Sequence, residues 1–232
     1  MNERQELEAA LEAGAWFNTL PPDIRAEMLA AGAIRTIASG KYLYEEEDEA
    51  SGLHGVITGI LHVIGLSPDG NAVTLGITRP GDWTGFLSCI DGLPHAYSAI
   101  AREKTQIFSL RPADVTRIFE RDVATFRLLL APELIIRRKL GRYIVDDVVL
   151  PLAQRVAARL GDLGRSPFEY PVGPIAPLRN ISQEELAMSV AATRPRINEI
   201  LREFAAKGLI ELGYGRITVV DPAALDHFAR EG

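Results

Sequence analysis

Hydrophobic and polar positions change rhythm several times along the chain, and each rhythm predicts a different kind of element. Residues 6–31 read as short helical pieces broken at Pro21 and Pro22. From Ile34 to Leu110 short apolar runs at 34–37, 56–57, 60–64, 73–77, 98–101 and 106–110 alternate with turn signals: Ser39-Gly40, Ser51-Gly52, Ser67-Pro68-Asp69-Gly70 and Pro80-Gly81-Asp82. Turn signals about one strand apart predict an antiparallel barrel or sandwich. The acidic run 45–49 reads as a solvated loop. Between 122 and 150 the only glycine is Gly141 and the only proline is Pro132. There Phe126, Leu129, Glu133, Ile136, Leu140, Tyr143, Asp147 and Leu150 recur at alternating spacings of three and four. Such a seam predicts a long helix that pairs with a copy of itself through Phe126, Leu129, Ile136, Leu140 and Tyr143. A helix packed only on its own domain is the other reading. Pro132 is expected to kink it or break it near its start. Pro151 suits the first turn of a further helix over 152–163, and 164–179 reads as a Pro/Gly-rich connector. From Asn180 the chain reads as mostly helical, ending in a short β-like pair.

The segment 180–211, NISQEELAMSVAATRPRINEILREFAAKGLIE, carries the most chemistry. Ser182 with Glu185 three residues later has the form of a capping box, and Leu186, Ala187 and Val190 form the inner face of the helix it opens. Ala191-Ala192 are small enough for a tight turn. Thr193 then caps a second helix, in which Ile197, Ile200, Leu201 and Phe204 share one face while Arg194, Pro195, Arg196, Asn198, Glu199 and Arg202 lie away from it. This is the layout of a helix-turn-helix. Arginine can bond guanine O6 and N7 together, asparagine can bond adenine, and glutamate can accept from cytosine N4. Arg194 is therefore the expected principal base reader, with Asn198 and Glu199 next. Arg196 and Arg202 are expected at phosphates, as are Ser182, Gln183 and Thr193 at helix N-termini. The run 207–211, the turn Gly213-Tyr214-Gly215 and the run 216–220 add a β-hairpin wing that contributes Arg216.

Composition at first opposes DNA binding. The 232 residues carry a net charge of −6, whereas nucleic-acid binders are usually basic. The charge is unevenly spread: residues 1–120 hold 9 Lys/Arg against 17 Asp/Glu, and residues 121–232 hold 16 against 14. Residues 151–232 alone balance at 10 against 10, so affinity is expected to lean on dimerisation and base contacts. With 47% hydrophobic residues the chain is too apolar for a disordered one. No apolar run approaches the ~18–20 residues of a membrane span, and the N-terminus lacks the basic-then-apolar order of a secretory signal. A cytoplasmic protein with no membrane partner is expected. A single cysteine, Cys89, excludes a cysteine-ligated iron–sulfur cluster. No nucleotide-binding glycine loop, metal-ligand spacing or nucleophile–base set is visible, so an enzyme is not expected. Gly-Asp-Trp-Thr-Gly at 81–85 reads as a turn.

In this order the pieces resemble the catabolite activator/fumarate–nitrate regulator (Crp/Fnr) family of bacterial transcription factors over roughly residues 15–225. Gly40, Val56-Ile57-Thr58-Gly59, the Asp69-Gly70 hairpin turn, the Pro80-Gly81-Asp82 corner, the long helix, and the winged helix with Gly215-Arg216-Ile217 and Asp221 all match family features. The resemblance implies an α+β chain. An antiparallel β-roll of the cyclic-nucleotide-binding, jelly-roll type occupies 1–121, a dimerisation helix 122–150 and a winged helix-turn-helix 151–232. It also implies a cytoplasmic homodimer that binds a near-palindromic operator in double-stranded DNA and meets RNA polymerase.

The effector does not carry over. Members that bind cyclic AMP have Gly-Glu-Leu before a short helix and an Arg-Ser pair nine to ten residues later. Here the candidate pocket reads Phe86, Leu87, Ser88 and onward to His95 and Ala96. The glutamate position is thus Phe86, and the arginine and serine positions are His95 and Ala96. The adenine-reading Thr-Ser pair on the dimer helix aligns with Leu140-Gly141. Without the guanidinium and the hydroxyls, cyclic AMP is not expected to bind, and no cofactor is predicted. Two alternatives stay open. One is a regulator sensing haem, for which His54, His62, His95 and Cys89 are available, or another small ligand. The other is a protein-binding module with a vestigial DNA domain.

Overall fold

The computed structural model describes residues 3–67, 72–169 and 173–232. Two helices, α1 (Glu3–Glu12) and α2 (Pro22–Ala31), flank a short 3-10 turn at Phe17–Thr19. Each of the six apolar runs marks a strand: β1 (Ala33–Ile37), β3 (Leu53–Thr58), β4 (Leu61–Leu66), β5 (Ala72–Thr78), β7 (Ser98–Ala101) and β8 (Thr105–Leu110). Two further strands, β2 (Tyr42–Tyr44) and β6 (Trp83–Thr84), are too short to leave a periodic signal. The strands form two four-stranded sheets, ordered β1-β8-β3-β6 and β2-β7-β4-β5. Ile37, Val56 and Ile107 from the first sheet cluster with Leu43, Tyr44, Leu61, Ala99 and Ala101 from the second, so the core lies between the sheets. The hairpin turn at Asp69-Gly70 lies outside the described residues.

The Pro80-Gly81-Asp82 corner has a local cause. Gly81 has φ +88°, and a Cβ there would stand 2.2 Å from the backbone nitrogen of Gly14. Asp82 closes the turn by accepting from Arg79 N at 3.0 Å. Immediately after β6 comes α3 (Phe86–Asp91), then α4 (Pro112–Phe119) following β8.

The long helix α5 (Val123–Val149) runs through Pro132 without a break. Proline has no N–H, which deprives the carbonyl of Leu128, four residues earlier, of its helical partner. Trp16 replaces it: its indole Nε1–H donates to Leu128 O at 2.7 Å. The same Trp16 ring meets Phe86 edge-on at 4.7 Å and Trp83 at 5.4 Å, and stacks on Phe119 at 6.1 Å.

Contacts divide the chain into two units, one of Met1–Ile64 with Ile77–Arg137 and one of Gly65–Gly76 with Arg138–Gly232. This differs from a division at the two ends of the long helix. The second unit holds α6 (Leu152–Gly164), β9 (Leu178–Arg179), α7 (Gln183–Ser189), α8 (Arg194–Ala206), β10 (Ile210–Gly213), β11 (Arg216–Val219) and α9 (Pro222–Glu231). Neither β9 nor α9 was legible as periodicity. The chain ends in a helix rather than a β-pair, because Asp221 accepts from Ala224 N and Pro222 opens the first turn. Arg165 pairs with Asp226 at 2.5 Å, and Phe204 meets Phe228 at 5.1 Å, fixing α9.

A buried Arg159 organises this unit further. Its Nη2 donates to the carbonyls of Thr74 and Leu75 on β5, and its guanidinium lies 5.0 Å over the Tyr143 ring. β5 is an edge strand of its sheet, so part of its backbone lacks a strand partner.

Candidate functional site

The capping box forms as the sequence predicts. Ser182 Oγ accepts from Glu185 N at 3.0 Å, and Glu185 Oε2 accepts from Ser182 N at 2.8 Å. Leu186, Ala187 and Val190 are buried under α7, and Ile197, Ile200, Leu201 and Phe204 under α8. Thr193 occupies the N-cap position of α8 without a side-chain cap bond. Gln183 and Asn198 are half-buried, while Ser182, Arg194, Arg196, Glu199, Arg202 and Arg216 are exposed. Burying one apolar stripe thus leaves a cationic first turn facing water. The two arginines of that turn are not equivalent. Arg196 pairs with Glu199 at 2.7 Å one turn on, which occupies two expected contact residues with each other in the free protein. Arg194 is the first residue of α8 and has no such tie among the described residues.

The turn between α7 and α8 holds Ala191 at φ +50°, a left-handed conformation that costs an L residue about 1–2 kcal/mol. Ala191→Gly is expected to stabilise the protein by about 0.5–1 kcal/mol, since glycine relieves that cost but loses more chain entropy. A higher urea midpoint at unchanged slope is the expected readout. A lower midpoint would refute it.

Of the candidate effector residues, Phe86, Ser88 and His95 are engaged in structure. Phe86 is buried against Trp16 in the aromatic core. Leu87 and Ala96 are exposed. His95 is buried and stacks flat on Tyr44 at 3.7 Å. His95 Nε2 is 2.8 Å from Ser51 Oγ and its Nδ1 is 3.2 Å from Ser88 Oγ. Ser51 Oγ continues to His54 Nε2 at 3.0 Å, and His54 Nδ1 to Ser109 Oγ at 2.9 Å. A polar chain, buried at Ser88, His95 and His54 and half-buried at Ser51 and Ser109, therefore runs Ser88–His95–Ser51–His54–Ser109, satisfying both nitrogens of each ring. Burial pushes the His54 pKa down to about 3 and also lowers that of His95, where Asp48 opposes it in part. Both rings are thus neutral near pH 7. His62 Nδ1 accepts from Arg102 Nε at 3.3 Å, and burial raises the Cys89 thiol to about 12. Leu140 and Gly141 lie on the part of α5 that belongs to the second unit.

The seam expected for dimerisation is partly turned inward. Leu129 is fully buried, Phe126 and Ile136 are half-buried, and Tyr143 lies under Arg159. Burial also raises Glu133, on the same seam, to about 7, with Asp91 adding to the effect. Of the seam, Leu140 is exposed. Outside the seam, Ile144, Val145 and Val148 are 65%, 56% and 80% exposed. Spacing of three and four marks an apolar stripe but does not say which stripe the chain itself covers.

Comparison with known proteins supports the assignment of both parts. Residues 34–122 match the cyclic nucleotide-binding domain, and residues 154–228 match the Crp-like helix-turn-helix domain. A CRP-like cAMP-activated global transcriptional regulator of Mycobacterium tuberculosis is 28% identical over 82% of this chain and 85% of its own. A solved CRP-family transcriptional regulator from Thermus thermophilus superposes with a TM-score of 0.62 at 25% identity, over 84% of this chain and 96% of its own. FixK2 from Bradyrhizobium japonicum shares the fold with a TM-score of 0.71 at 18% identity, over 85% and 96%. A β-sandwich, a long helix and a winged helix-turn-helix with an exposed cationic first turn thus occur in one chain, in one order. The chain belongs to the Crp/Fnr family of transcription regulators.

Proposed function

We propose that the protein acts as a homodimer on a near-palindromic operator, each subunit laying α8 in the major groove of one half-site. Arg194 reads guanine, Asn198 and Glu199 read neighbouring bases, and Ser182, Gln183, Thr193, Arg196 and Arg202 hold phosphates. The observation that carries this reading is the division of α8 into a buried face of Ile197, Ile200, Leu201 and Phe204 and an exposed first turn of Arg194-Pro195-Arg196. Ile144, Val145 and Val148 support a dimer surface on the C-terminal half of α5. RNA polymerase is the further partner at a promoter. Selection of bound duplexes from a random pool tests the proposal: a two-fold-related consensus supports it, and no enrichment refutes it.

The sensor domain of this chain, on our reading, does not respond to cyclic AMP. A buried, neutral His95 offers no cation to the cyclic phosphate, Ala96 offers no hydroxyl, and Phe86 offers no carboxylate to a ribose. Isothermal titration of the full chain with cyclic AMP is expected to give no binding heat. Micromolar or tighter binding would overturn this.

A further inference from the structure

In the wing, Arg216 of β11 stands directly opposite Arg179 of β9 in antiparallel register. One step along each strand, Ile217 and Leu178 form the next opposed pair, and both are buried. Alternation therefore puts both arginines on the outward face, where both are exposed. Opposed residues on one face stand close together, and like charges there repel.

Among the described residues of the sheet, nothing offsets that repulsion. The third position in the row is Gly213, which has no side chain. Arg216 uses the space: its Nε lies 3.7 Å from where a Gly213 Cβ would stand. The nearest acid of the sheet, Glu211, is opposite Thr218. Among the described residues neither wing arginine has an ion-pair partner. Other arginines of this unit do: Arg155 with Asp147 at 3.5 Å, Arg165 with Asp226, and Arg196 with Glu199.

The pair is also held in place. Asn180, in the left-handed region at φ +57°, donates its N–H to Gly215 O at 3.0 Å, tying the end of β9 to the wing turn. That leaves Tyr214 fully exposed at the tip. Ser182, the cap of α7, follows closely after Arg179, so the pair is built into the entrance of the helix-turn-helix.

We propose that Arg179 and Arg216 together clamp backbone phosphates of duplex DNA beside the segment read by α8. The proposal rests on the DNA-binding reading above and adds Arg179, a residue outside the helix-turn-helix, to the interface. Side by side the two cations repel in the free protein. Against phosphates the same placement becomes attractive, and it is indifferent to base sequence.

The test uses the full chain, the selected operator duplex and a scrambled duplex of equal length, with fluorescence anisotropy over a salt series. Arg179→Gln is expected to weaken both duplexes by the same factor. It should also lower the slope of log affinity against log salt by about 1 per subunit on the DNA. Arg179→Lys should restore the slope, which separates lost charge from misfolding. An unchanged slope and affinity in Arg179→Gln, with wild type still binding operator, overturns the clamp alone. Loss confined to the operator overturns it too, because that marks base reading. Arg179-dependent binding of inorganic phosphate with duplex binding unaltered would assign the pair to a free anion instead of DNA. Failure of wild type to bind either duplex would remove the DNA reading itself.

Discussion

Trp16→Ala is expected to cost about 5 kcal/mol of stability, at the top of the ~3–5 kcal/mol range for truncating a buried aromatic. Two losses combine. Contacts with Phe86, Trp83 and Phe119 disappear together, leaving a void among large rings. Leu128 O, already without its helical partner because of Pro132, also loses the indole donor. An orphaned buried acceptor costs about 1–3 kcal/mol by itself. Trp16→Phe separates the two, keeping most of the packing and removing only the donor. Its cost should shrink when Pro132→Ala is added, since alanine supplies the missing N–H. Urea unfolding followed by far-ultraviolet circular dichroism reads all four variants. Equal costs for Trp16→Phe with and without Pro132→Ala would dismiss the hydrogen-bond account.

Arg194→Ala is expected to weaken operator binding by about 1–3 kcal/mol, or roughly 5- to 150-fold, and to relax preference at one base pair per half-site. The contrast with Arg196 is what makes Arg194 the stronger candidate. Arg196 must give up Glu199 at 2.7 Å before it can turn to DNA, whereas Arg194 is exposed and untied. Anisotropy titrations against the operator and its single-base variants, at fixed salt, check both parts. Unchanged affinity and an unchanged base profile would place the principal reader elsewhere on α8.

Much of the architecture is legible in local sequence signals. Turn chemistry at Gly40, Gly52 and Gly81 separates the strands of the sheets. The Ser182–Glu185 box fixes the start of α7, and the four buried positions of α8 follow from spacing alone. These signals are local: a cap needs a residue three positions away, and an amphipathic face needs the next turn. Elements without a local pattern escape such a reading. Two-residue strands such as β6 and β9 exist only because a neighbour supplies their hydrogen bonds.

The sequence by itself determined the six longer strands of the sheets, the long helix and the helix-turn-helix with its wing. Tertiary structure decided which apolar stripe of α5 stays in water, because periodicity records that a face is apolar but not what covers it. It also decided that Pro132 leaves α5 intact, since the replacement donor comes from Trp16, 112 residues before Leu128. His95 changed meaning in the same way. By resemblance to the family it stands at an arginine position, and in the fold it is one link of a neutral hydrogen-bond chain, because burial lowers its affinity for a proton and two serines take both ring nitrogens.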